Sequence, residues 1–128
     1  MIYEPKNIDL NILADHFIVS DDYPIDRCLA ELLERQQLPN FLVLIDEEDG
    51  NINGFMIAYG VYETLWINQV WRQNDLNLTN GMKAMKKAIA WAKMRGLTSI
   101  TGETKRDEMA ALQKYGFKEH SVIMKVEI

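Results

Sequence analysis

Three extended runs follow one another with almost nothing between them, and this constrains the fold more than any other feature of the chain. Residues 41–45 read "FLVLI", a β-branched and aromatic run of buried-strand length. Residues 52–62, "INGFMIAYGVY", make a return strand after the polar turn "DEEDGN", and residues 64–71, "TLWINQVW", make a third. The junction at Glu63 and Thr64 leaves no room for a crossover, so the runs are predicted to pair antiparallel as a meander. Gly54 and Gly60 inside the second run point to a bulge or a close backbone approach.

Helical periodicity brackets these strands. Residues 7–20 are predicted as a first helix, with Leu10, Leu13, Ala14 and Phe17 on one face. Asp21, Asp22, Tyr23 and Pro24 interrupt the chain, and Pro24 suits the first turn of a new helix. Ile25, Cys28, Leu29, Leu32 and Leu33 form its apolar stripe, and Leu38-Pro39-Asn40 ends it. After the third strand, "LNLTNG" leads into a long lysine-bearing helix. Met82, Met85, Ile89 and Ala92 are expected on its apolar face, with Lys83, Lys86, Lys87 and Lys93 in solvent. Arg95 and Gly96 close it with a cation in the last turn and a glycine past the end. "LTSITGE" is a further strand, residues 107–115 a short helix, and "HSVIMKVEI" a final strand. The order ααβββαβαβ describes one α+β domain over residues 1–128, a mixed, mostly antiparallel sheet with helices on its faces.

Composition narrows the function. The chain has 128 residues, 48% of them hydrophobic, which suits one domain with one core. A net charge of −5 argues against broad nucleic-acid binding. No apolar run approaches the ~20 residues that span a bilayer, and no export leader is evident, so a cytoplasmic, reduced protein is expected. Cys28, the one cysteine, reads as a small buried hydrophobe. Asp46, Glu47, Glu48 and Asp49 lack the glycine placement of a calcium loop, and His16 and His120 have no ligand-spaced partner, so no metal site is expected.

Taken in order, "EDGNINGFMIAY", "KKAIAWAKMRGLTSITGE" and "LQKYGFKEHSVIMKVEI" resemble the hairpin, the central helix with its following strand, and the terminal elements of the GNAT superfamily of CoA-dependent N-acyltransferases. The resemblance covers roughly residues 41–128. It implies acetyl-CoA as co-substrate and an amine, on a small molecule or a protein, as acyl acceptor; a homodimer is compatible with it. The family's pyrophosphate signature, [R/Q]-x-x-G-x-[G/A], falls on "LNLTNG". Gly81 matches, whereas Leu76 replaces the basic or amide residue and Thr79 the middle glycine. The resemblance implies Thr79, Asn80, Gly81 and Met82 as cofactor-binding residues. Since pyrophosphate is held mainly by backbone N–H groups, side-chain identity matters less there than backbone reach. The other reading is that Thr79, Asn80 and Gly81 merely start and cap a helix.

The resemblance also implies that the third meander strand splays from the strand after the central helix near Gln69, Val70 and Trp71, whose free main-chain groups would take the pantetheine arm. The alternative is an ordinary strand end with Trp71 as packing. Family members often carry a general base on this strand, which implicates Glu63, and Glu103 after "TSITG" can face the same cleft. Read from the residues alone, each is more simply a solvated turn carboxylate. Leu112 stands where the family places the tyrosine that protonates the leaving thiolate; Tyr115 lies on another helix face and reads as a packed side chain. Two functions remain open: an acetyl-CoA-dependent N-acetyltransferase, or a non-catalytic GNAT-like domain with a worn cofactor loop.

Overall fold

The computed structural model describes residues 1–73 and 78–102. The short helix expected at 107–115 and the strand at 120–128 lie outside the described residues, as do Leu76, Glu103, Leu112, Tyr115 and His120. Within them the chain forms β1 (Ile2–Tyr3), a 3-10 helix (Leu10–His16), α1 (Ile25–Gln36), β2 (Phe41–Glu48), β3 (Asn51–Val61), β4 (Thr64–Arg72), α2 (Leu78–Met94) and β5 (Ser99–Gly102). The strands make one sheet in the order β1-β2-β3-β4-β5. The first four pair antiparallel, and β5 joins β4 in parallel after the α2 crossover. An α+β domain with a mixed, mostly antiparallel sheet is therefore the architecture.

The meander is as expected, but its first turn is tighter. β2 runs on through Asp46 to Glu48, and Asp49 and Gly50 alone make the turn, with φ of 52° and 80°. Two consecutive left-handed residues match the twist of the flanking strands, which is why Asp-Gly suits a short hairpin. The expected first helix is instead a short 3-10 helix, capped by Asp9, whose side chain accepts the Asn11 N–H at 3.0 Å. Its buried side chains, Leu10, Leu13 and Ala14, are those the periodicity identified.

The sheet separates two cores. On one face Leu10, Leu13, Phe17, Cys28 and Leu32 pack against Val43, Ile45, Phe55, Ile57 and Tyr59. On the other Met85, Ala88, Trp91 and Ala92 pack against Leu42, Leu44, Met56, Ala58 and Leu65. This places helices on both faces. The buried stripe of α2 is rotated from the one expected: Met85 and Ala92 are buried, but Met82 and Ile89 are 46% and 38% exposed, and Ala88 and Trp91 take the core positions. The small Ala88, fully buried, lets the helix approach the sheet closely. α2 ends as predicted. Gly96 has φ of 74°, the Leu97 N–H reaches the Ala92 carbonyl at 3.0 Å and the Gly96 N–H the Lys93 carbonyl at 3.1 Å.

Candidate functional site

The second half of β4 is where the sheet departs from regular pairing. β5 pairs with β4 from Thr64 with Ser99 to Ile67 with Gly102, where the described residues of β5 end. β4 itself continues to Arg72. The first residue past that ladder, Asn68, is also a bulge. Ile57 of β3 opposes Gln69 and Ala58 opposes Ile67, so Asn68 is left without a counterpart on β3.

The bulge sets which face every later side chain uses. Side chains in a regular strand alternate, so Trp66 and Trp71, at odd spacing, belong on opposite faces. The extra residue cancels that, and both pack against the α1-side core. Gln69 turns to the same side and is 4% exposed. Its carboxamide Oε1 accepts the Ile18 N–H at 2.6 Å, and its Nε2 donates to the Ile18 carbonyl at 3.2 Å and to Cys28 Sγ at 3.2 Å. One buried amide thus pins the segment between the 3-10 helix and α1 onto β4. Burial pushes the Cys28 thiol up from its ordinary pKa, with the Gln69 N–H acting weakly the other way.

Trp71 carries the exposed His16 ring stacked on it, with centroids 3.7 Å apart and planes at 13°, and it leans on Phe55 at 6.0 Å. Val70, between them in sequence, is 41% exposed. Asn68 is half-buried; its Nδ2 lies 3.5 Å from the Tyr59 hydroxyl, and its Oδ1 is enclosed without a partner.

At the other side of the sheet, α2 begins earlier than expected. It starts at Leu78, so Thr79, Asn80 and Gly81 lie in its first turn and are not residues of a preceding loop. Asn80 does not cap: its Nδ2 donates to Asp46 Oδ2 at 2.9 Å, tying the first turn to the end of β2. The first four N–H groups of a helix have no partner four residues back, so residues 78–81 carry the amides that an anion would need. The Asp46 carboxylate beside that turn acts against an anion by its charge.

The expected site residues therefore fall into two groups. Gln69, Val70 and Trp71 occupy the second half of β4, past the bulge, while Asn80, Gly81 and Met82 sit at the start of α2. Glu63 joins neither. It is exposed in the β3–β4 turn, and its carbonyl accepts the Thr98 N–H at 2.7 Å. At ~3.3 Å per residue, β4 puts it on the order of 20 Å from Gln69, too far for direct proton transfer there. Sequence reasoning missed His16 and Asn68. The odd spacing of Trp66 and Trp71 was the available sign of a bulge.

A concavity of about 230 Å³ at the β2 edge, lined by Lys6, Gln36, Asn40, Trp91 and Arg95 among others, lies two strands from β4 and takes no part in this arrangement. No helix among the described residues is long and apolar enough to cross a membrane, and they contain no cluster of potential metal ligands.

No family model and no curated protein matches the sequence. Solved structures do match the fold. Aminoglycoside 6'-N-acetyltransferase AAC(6')-IG from Acinetobacter haemolyticus superposes with a TM-score of 0.75 at 14% identity, covering 100% of this chain and 97% of that one. The AAC(6')-Ih enzyme from Acinetobacter baumannii gives 0.72 at 16% over 100% and 97%. Glucosamine-6-phosphate N-acetyltransferase from Arabidopsis thaliana gives 0.68 at 12% over 99% and 98%. AAC(6')-Iy, solved with CoA, gives 0.71 at 14% over 100% and 98%. On this architecture, the chain has the GNAT fold of the N-acetyltransferases.

Proposed function

We propose that the protein is a cytoplasmic acetyl-CoA-dependent N-acetyltransferase acting on a primary amine of a small molecule. The observation that supports this reading is the bulge at Asn68 in β4, the strand that precedes the first turn of α2 in a GNAT-like sheet. That arrangement offers a strand-like berth for pantetheine and an anion site for pyrophosphate on one path. The fold neighbours, several solved with CoA or CoA analogues, support the same co-substrate.

In this reading Asn80, Gly81 and Met82, with Thr79, surround the pyrophosphate through main-chain N–H groups. A main-chain N–H of Val70 or Trp71 polarises the thioester carbonyl. The neutral amine attacks the carbonyl carbon, the C–S bond breaks, and the sulfur leaves as a thiolate that takes up the proton shed by the new amide nitrogen. Positioning supplies most of the rate. Glu63 has no part in it. Glu103 is retained as a base candidate because it directly follows the last paired residue of β5.

The experiment is a thermal shift with acetyl-CoA. At ~100 times the dissociation constant the gain is ~2.7 kcal/mol, on the order of ten degrees for a domain of this size. Gly81→Asp places a carboxylate at the phosphate while remaining compatible with a helix start, so it should abolish the shift and leave the unliganded melting temperature nearly unchanged. No shift at millimolar acetyl-CoA would overturn the proposal. A non-catalytic GNAT-fold binding protein is then the better reading, favoured by one observation: Asn80 is already engaged by the Asp46 carboxylate.

A further inference from the structure

We infer that the acyl acceptor carries its amine on a flat, largely apolar ring, and that His16 stacked on Trp71 is the wall against which that ring lies. The inference rests on the N-acetyltransferase reading and deepens it by naming the substrate class.

The wall is solvent-facing. His16 is exposed, and beyond it Ile18 and Val19 are 57% and 48% exposed. Exposed apolar side chains in succession beside an aromatic stack cost solubility without adding to the core, which is what a binding surface does. The wall is also held in place from beneath. The buried Gln69 carboxamide makes two hydrogen bonds to the Ile18 main chain, so the segment that carries the apolar rim is fixed to the same strand that presents Trp71. The near-parallel stack at 3.7 Å fixes the plane of the imidazole in turn.

Position ties the wall to the reaction. Trp71 supplies its side chain to the α1 side, and its main chain belongs to the half of β4 assigned to the thioester. A ring on the outer face of His16 lies about two stacking distances, ~7 Å, from the Trp71 indole, so its amine reaches that half-strand on a short arm. A flat aromatic ring gains from such a face. A flexible polycation is recognised instead by paired carboxylates. Here the groups at the wall are imidazole, indole, carboxamide and aliphatic. Asp15, Asp21 and Asp22 flank the segment in sequence and are exposed, so a polycation is the competing ligand to exclude.

The test measures thiol release from acetyl-CoA with two probes, tryptamine and spermidine, alongside the acetyl-CoA thermal shift. The expected result is a kcat/KM at least about tenfold higher for tryptamine. His16→Ala should raise the tryptamine KM about tenfold with kcat changed less than about twofold. His16→Phe, which keeps the stack and discards the titratable nitrogens, should restore the wild-type KM. Both variants should keep the acetyl-CoA shift within about a degree. Preference for spermidine, turnover of neither probe, an unaltered KM in His16→Ala, or a His16→Phe that behaves like His16→Ala would each overturn the inference while a retained acetyl-CoA shift leaves the parent reading standing. Absence of the shift in the wild type would overturn both.

Discussion

The two faces of the sheet are built differently. The α2 face is closed by apolar contact: Leu42, Leu44, Met56, Ala58 and Leu65 meet Met85, Ala88 and Ala92. The α1 face has an equally apolar centre but ends, toward the second half of β4, in an amide, a histidine, a bulge and an exposed rim. One face resembles a scaffold and the other a surface adapted to hold something. The difference has a single local origin. Were Asn68 paired regularly with β3 instead of bulged, Gln69 and Trp71 would face α2, and the α1 side would lose both the peg for the Ile18 segment and the platform for His16.

The most severe way to break the comparison is therefore to delete Val70, which pairs regularly with Met56 just past the bulge. The strand beyond the bulge is then one residue short, so either Trp71 falls on the α2 face or Asn68 is drawn into regular pairing and the buried Gln69 amide turns toward α2. Loss of more than about 4 kcal/mol is expected, in the exceptional range for a single change. A deletion variant that melts within a few degrees of the wild type would show that the facing of Gln69 and Trp71 is incidental.

Next in size is Leu65→Ala. Leu65 is fully buried on the scaffold face, and removal of a core leucine costs about 2–5 kcal/mol through lost burial and the cavity left behind. Denaturant unfolding should show the loss as a lowered midpoint with an unchanged slope. The acetyl-CoA shift should survive in the folded fraction, since Leu65 belongs to the paired half of β4. Loss of the shift in folded protein would mean that the two halves of the strand are not separable.

Gln69→Leu is the matching change on the other face, and its effect should be local. Leucine fills the volume, and the Ile18 main chain, lying in an exposed segment, can turn to water. Global stability should move by about 1 kcal/mol or less, while hydrogen exchange at the Ile18 amide quickens at least about tenfold. A large global loss with unaltered exchange would make Gln69 an ordinary core residue and remove the distinction between the faces.

These contrasts show where sequence was informative. The meander, α1, the body of α2 and its glycine stop follow from periodicity and turn chemistry, because each extends over many residues that must agree. β1 is two residues long, too short to carry a pattern, and it exists only because β2 offers an edge. The 3-10 helix shows the apolar spacing of an α-helix over seven residues, and spacing over so short a run does not fix the hydrogen-bond register. The register of β4 is marked in the sequence only by the odd spacing of Trp66 and Trp71, because a bulge is a single-residue event that composition does not show. Gln69 was read for its main chain, and its side-chain bond to a residue 51 positions away has no local signature. Glu63 stands where the sequence put it, at the start of the third meander strand, in the turn before β4.

The smallest expected effect lies at that end, away from both cores. Tyr62 turns the chain from β3 into β4 with φ of 55° and is 98% exposed. A left-handed backbone costs an ordinary L-residue roughly 1–2 kcal/mol, and asparagine tolerates it better than an aromatic residue does. An aromatic side chain that packs against almost nothing offers little to offset that cost. Tyr62→Asn should therefore stabilise the protein by about 0.5–1 kcal/mol, raising the melting temperature by roughly two to four degrees, with Gln69 and its hydrogen bonds untouched. The acetyl-CoA shift should be the same in both proteins, because the turn lies at the paired end of β4 where Thr98 bonds to Glu63. A lower melting temperature at any protein concentration would mean that the Tyr62 ring has a contact worth more than the backbone strain. A loss confined to high concentration would identify that contact as a second copy of the chain. Either result would assign a role to the paired end of β4, which in the present comparison only holds the strand in place.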